Sequence, residues 1–170
     1  RDCLLSRGLG DVYKRQDIRR ISHLLKVYGF AKAIGEKEQL DLFTMECLET
    51  AAVLHDIGIK ISEEKYQSSA GKYQELEGPP VAAVILKKLE FPAPVTERVA
   101  YLIGHHHTYD KIEGMDYQIL VEADFLVNIN EDGLDSSKQG LDSIRKIKEN
   151  IFKTKTGTKI LESIYLSKVN

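Results

Sequence analysis

Five histidines stand in the sequence: His23, His55 and the adjacent trio His105, His106 and His107. His55 is followed at once by Asp56, at the end of the most apolar helical segment of the chain. An imidazole beside a carboxylate is a donor pair suited to Mn, Fe, Co, Ni or Zn rather than Ca. Neighbouring helical residues project about 100° apart. The two side chains therefore converge only on a site lying off the helix end between them. Asp124 sits in equally apolar company, in VEADFLVN. An unpaired carboxylate on an apolar helix is costly, and a metal would supply the missing partner.

The elements that must position these residues read as helices throughout. Ile18, Ile21, Leu25 and Tyr28 fall at helical spacing, with Asp17 as a cap. A second helix is expected from about Asp41 to Ile57, with Gly58 as its stop. Residues 58–77 are polar, lack a clear period and read as a long loop, a feature often tied to function. Pro79 then suits the first turn of a helix that carries Ala82, Ile85, Leu86 and Leu89. Thr96 caps a helix running to His105, and Asp116 caps one with Ile119, Leu120, Ala123 and Val127 on its apolar side. Two more helices are expected, near 136–150 and 157–168. Period-two alternation is brief, so the expected fold is all-α, a compact bundle of roughly seven helices.

Residues 1–16, RDCLLSRGLGDVYKRQ, show no sustained apolar period and resemble translated sequencing-adapter or assembly sequence. They read as a non-native or disordered leader, with a single helical domain over 17–170.

The ordered set of His23, then LHDIG with His55-Asp56, then Asp124 in ADFLVN resembles the HD-domain superfamily, over nearly everything from Asp17 to about Asn130. The resemblance implies that His23, His55, Asp56 and Asp124 bind one divalent metal inside a helical bundle. It also implies a phosphohydrolase, acting on a nucleotide or other small phosphoester through a metal-activated water, with Asp56 as the catalytic carboxylate. A bound metal polarises a phosphoryl oxygen and lowers the pKa of its water. Two-metal members of the superfamily carry further histidines between the His-Asp pair and the last Asp. His105 and His106 match the later of these. The earlier position, four before Gly78, holds Gln74, and Glu77 is the nearby carboxylate. A second ion would take His105 or His106, with Glu77 or water completing its shell; in a one-metal site the same histidines contact phosphate. Three adjacent helical residues cannot all face one site, and His107 is placed on the surface or in an outer position. Lys60, after the HDIG run, is a candidate phosphate contact as well as a plain solvated lysine. A di-iron oxygenase and a metal-retaining regulatory or ligand-binding module are the competing functions.

Composition narrows the partners. The net charge is −2, from 24 basic and 26 acidic residues, with no basic block that would track a phosphate backbone. A small phosphorylated substrate is expected, and nucleic acid is not the main partner. No apolar run approaches the roughly 18 residues of a membrane span. The expected compartment is the cytoplasm. Cys47, inside an apolar helical pattern, reads as a buried thiol. Oligomeric state is not encoded in any of these signals.

Overall fold

The computed structural model describes residues 18–167. The leader over 1–16 and the Asp17 cap lie outside them. The chain forms α1 (Ile18–Lys37), α2 (Leu42–Leu54), a 3-10 turn (His55–Gly58), α3 (Ile59–Tyr66), α4 (Gly71–Lys88), α5 (Ala93–Ile103), α6 (Met115–Glu131), a second 3-10 turn (Leu134–Ser136), α7 (Lys138–Ile151), α8 (Lys155–Leu161) and a closing π turn (Glu162–Leu166). Seven of the α-helices have eight residues or more, and no strand occurs among the described residues. The fold is all-α. No described helix is long and apolar enough to cross a membrane.

Helix α6 is the axis of the bundle. It packs against α1 and α2, and α2 packs in turn against α5. Burial runs around the whole circumference of α6, from Tyr117 through Ile129, as expected of a helix enclosed by others rather than laid on a surface. Helix α1 buries Leu24, Val27, Ala31 and Ile34, a stripe at steps of three and four residues. The expected stripe was Ile18, Ile21, Leu25 and Tyr28; instead Ile18 and Leu25 are exposed. The inward face is the one that carries His23, and the apolar residues on that face are the ones that close around it. Asp41 caps α2 by accepting from the amides of Phe43 and Thr44. Cys47 is buried, and its thiol is pushed up to about 12, mainly by that burial.

The segment 58–77 is not a long loop. Gly58 has right-handed helical dihedrals, so the chain runs through the 3-10 turn directly into α3. Only 67–70 is extended or bent before α4 begins at Gly71. Pro79 and Pro80 lie inside α4 rather than at its first turn. Each removes a backbone donor, so the carbonyls of Glu75 and Leu76 forgo their usual helical partners. Thr96 and Asp116 are not caps either. Helix α5 starts after Pro92, and α6 starts after Gly114, whose φ of 91° belongs to the left-handed side that favours glycine. Asp116 accepts a two-pronged bond from Arg98 instead, at 2.7 and 2.8 Å.

Helix α4 crosses the 3-10 turn at very short range, and glycine permits it. A Cβ on Gly58 would meet the Gln74 carbonyl oxygen at 2.6 Å and the Gly78 nitrogen at 2.8 Å. Both obstacles are backbone, which cannot swing aside as a side chain can. Gly58→Ala is therefore expected to destabilise the protein by about 1–3 kcal/mol, as overpacking does. The turn that must shift carries His55 and Asp56, so divalent-ion affinity should weaken as well. Thermal melts and ion titration of the variant check this; a melting temperature and affinity equal to the parent's would contradict it.

Candidate metal centre

Three elements deliver the inward-facing donors. Helix α1 brings His23, the 3-10 turn brings His55 and Asp56, and α6 brings Asp124. The 3-10 turn matters because its tighter winding lets adjacent residues lean into the space beside the helix end. His23 Nε2 lies 3.3 Å from His55 Nε2, 3.2 Å from Asp124 Oδ1 and 3.6 Å from Asp56 Oδ2. His55 Nε2 lies 3.6 Å from each of the same carboxylates. The structure thus brings all four residues of the ordered motif to one buried point.

A second cluster shares Asp56. Its Oδ1 lies 3.7 Å from His106 Nε2. Asp56, His106 and His107 each offer a donor atom, all within 4.8 Å of one another. The expected partition of the histidine trio is therefore corrected. His107, placed outside, faces the centre, while His105 does not belong to the cluster. His105 stacks on Tyr101 at 4.2 Å between ring centroids, and its Nδ1 donates to the Tyr101 carbonyl. The reason is that α5 ends at Ile103. Residues 104–107 form a turn, so the 100° helical step that separated the three side chains does not apply. Glu77 is also outside both clusters. Its carboxylate accepts from Lys65 Nζ and the Tyr66 hydroxyl, each at 2.7 Å. Lys60 is exposed on α3, 3.9 Å from Glu64, as a solvated lysine would be. Gln74, at the position of the absent loop histidine, is buried and donates to the Ser69 carbonyl.

The donor set fits a divalent cation. His55 Nδ1 donates to the Ala52 carbonyl at 3.0 Å, and His106 Nδ1 to the Ile103 carbonyl at 2.7 Å. A carbonyl oxygen only accepts, so each ring carries its proton on Nδ1 and turns the Nε2 lone pair inward. His23 makes the same arrangement with Glu131, at 3.0 Å. Two inward lone pairs 3.3 Å apart repel unless a proton or a cation lies between them. Three buried atoms facing this region, Asp124 Oδ1, His106 Nε2 and His107 Nε2, have no hydrogen-bond partner among the described residues. Orphans of this kind call for an ion or a water.

The electrostatics agree. Burial works to lower the pKa of His55, yet Asp56 and Asp124 outweigh it and push it up to about 9. His23 is raised too, burial again being outweighed by its carboxylate neighbours, Asp124 foremost. Burial works to raise Asp56, but His55 and His106 bring it down to about 2; Asp124 is lowered by His23 and His55. His107 is pulled down to about 4, by burial and then by His106. The centre is one of negative potential seeking positive charge. A divalent ion competes with protons for the same lone pairs.

Two groups brace the turn that carries the second cluster. Glu75 on α4 accepts from the His107 amide and the Thr108 hydroxyl, each at 3.0 Å. Tyr117, fully buried on α6, points its hydroxyl at the carbonyls of His105 and Thr108. Neither Glu75 nor Tyr117 carries a motif signal, since each acts through contacts made only in the folded chain.

The sequence pattern of the HD domain matches residues 20–156. The chain belongs to the HD-domain family. The fold is similar to the crystal structure of a predicted HD superfamily hydrolase from an uncultured Thermotogales bacterium. The TM-score is 0.65 at 23% identity, covering 92% of this chain and 80% of that one. No curated protein matches the chain.

Proposed function

We propose that this HD-domain chain is a metal-dependent phosphohydrolase acting on a nucleotide or another small phosphoester. The observation that carries the reading is the convergence of His23 and His55, Nε2 to Nε2 at 3.3 Å, on Asp56 and Asp124. His23, His55, Asp56 and Asp124 hold the first ion. A second ion takes Asp56, His106 and His107, with the two oxygens of Asp56 facing the two clusters. A divalent ion there supplies positive charge to a phosphoryl oxygen and lowers the pKa of water. The chain's own contribution is orientation: acceptors on Nδ1 of His23, His55 and His106 fix those rings, and burial of His55 and Asp124 keeps bulk water from the inner face.

The second cluster also keeps a di-iron oxygenase in the test, because that chemistry needs two ions. The experiment is chelator treatment of the purified full chain, then anaerobic reloading with Mn, Fe, Co, Ni or Zn. Phosphate release is followed across nucleoside mono-, di- and triphosphates and simple phosphoesters. Release that requires the ion and disappears on chelation is the expected result. Two irons with oxygen consumption and no phosphate release would favour the oxygenase. Tight ion binding with neither activity would favour a regulatory module.

A further inference from the structure

His23 differs from His55 and His106 in what holds its outer nitrogen. His55 and His106 donate to main-chain carbonyls of their own segments, which no side-chain change removes. His23 Nδ1 instead faces the carboxylate of Glu131, at 3.0 Å from Oε2. The other oxygen of Glu131 accepts from Lys26 Nζ at 2.9 Å. The geometry follows from two helix periods. Glu131 lies seven residues after Asp124 on α6, two turns along one face, and Lys26 lies one turn after His23 on α1. The two helices pack side by side, so Asp124 meets the inner nitrogen of His23 while Glu131 meets its outer one.

We infer that Glu131 is a positioning residue that sets the tautomer and ring orientation of His23, with Lys26 steering its carboxylate. Two carboxylates compete for the single proton of the neutral ring. Asp124 Oδ1 lies 3.2 Å from Nε2. Without Glu131 the proton moves to Nε2 and is shared with Asp124, which removes the inward lone pair. With Glu131 the proton stays on Nδ1, and both the lone pair and Asp124 remain free for a cation. An acceptor on the outer nitrogen of a ligating histidine commonly changes metal affinity by about 10–100-fold.

The cation part rests on the metal reading above; the tautomer part does not. The test therefore has two arms. The first is a long-range nitrogen–proton correlation spectrum of the chelated protein, at a pH where the His23 ring is neutral. The parent is expected to show the Nδ1–H form, and Glu131→Ala a shift toward Nε2–H. Glu131→Gln keeps an acceptor oxygen and should fall between them. The second arm is calorimetric titration with Mn or Zn. Glu131→Ala is expected to bind the first ion about 10-fold more weakly or worse, and Lys26→Met to show a smaller loss, with melting temperatures near the parent's. An unchanged tautomer in Glu131→Ala would overturn the inference, and so would an affinity within about twofold of the parent's. If the parent binds no divalent ion, the metal reading fails, and the spectrum alone still decides whether Glu131 governs His23.

Discussion

Replacing Asp56 by alanine is expected to abolish divalent-ion binding at both clusters while the bundle still folds. One carboxylate serves two groups: Oδ2 faces His23 and His55 at 3.6 Å each, and Oδ1 faces His106 at 3.7 Å. Among the described residues, no other carboxylate is common to both clusters. The loss of ion-dependent hydrolysis should reach at least about 10³-fold, since metal activation contributes several kcal/mol of barrier lowering. The apolar core loses no member, because Asp56 is a partly exposed polar residue of the 3-10 turn and does not belong to the buried apolar cluster. The companion variant, His106→Ala, should lose only the weaker of two binding events. Elemental analysis and calorimetric titration of the two variants read the difference. Full ion stoichiometry in Asp56→Ala would refute the metal centre. Identical titrations for His106→Ala and the parent would refute the second ion.

Glu122→Ala is expected to be strongly destabilising. Glu122 is completely buried on α6. Its Oε1 accepts from the Gln118 side chain and from the amides of Lys153 and Thr154, at 2.8, 2.7 and 2.9 Å. Its Oε2 accepts from the Thr154 hydroxyl. Thr154 in turn caps α8 by accepting from the Gly157 amide. Gly157 stands beside it, where a Cβ would collide with Glu122 Oε2. One carboxylate thus stitches the end of α7 and the start of α8 to the central helix. Truncation strands two backbone donors and a hydroxyl in the interior. Each unsatisfied group costs about 1–3 kcal/mol, so a total of about 3 kcal/mol or more is expected. For a chain of this size that lowers the melting temperature by roughly 10 °C. Glu122→Gln retains one acceptor oxygen and should lose less. Chemical denaturation of the three proteins checks the order. An alanine variant as stable as the parent would mean that the connection from α7 to α8 does not depend on this carboxylate.

The sequence by itself determined the helical class and the four motif residues. Both are local or short-range properties: periodic burial marks helices, and a His-Asp pair ending an apolar helix, with a carboxylate later in apolar company, has few inexpensive explanations other than an ion. Tertiary structure decided the rest. The loop expected over 58–77 is helical except at 67–70, because packing of α4 on the 3-10 turn, glycine against backbone, overrides the local signals of Gly58 and Pro79. His107 replaces His105 in the second cluster because the chain leaves the helix at Gly104, and no rule of helical spacing describes a turn held by Glu75 and Tyr117. Glu77 is drawn away by Lys65 and Tyr66, whose proximity depends on how α3 folds back on α4. Glu131 is 108 residues from His23 in sequence, and only the packing of α1 on α6 makes them neighbours. Motif residues are legible because their chemistry is unusual where they stand. Their supports are not, because a glutamate or a tyrosine on a helix is ordinary until the fold gives it a partner.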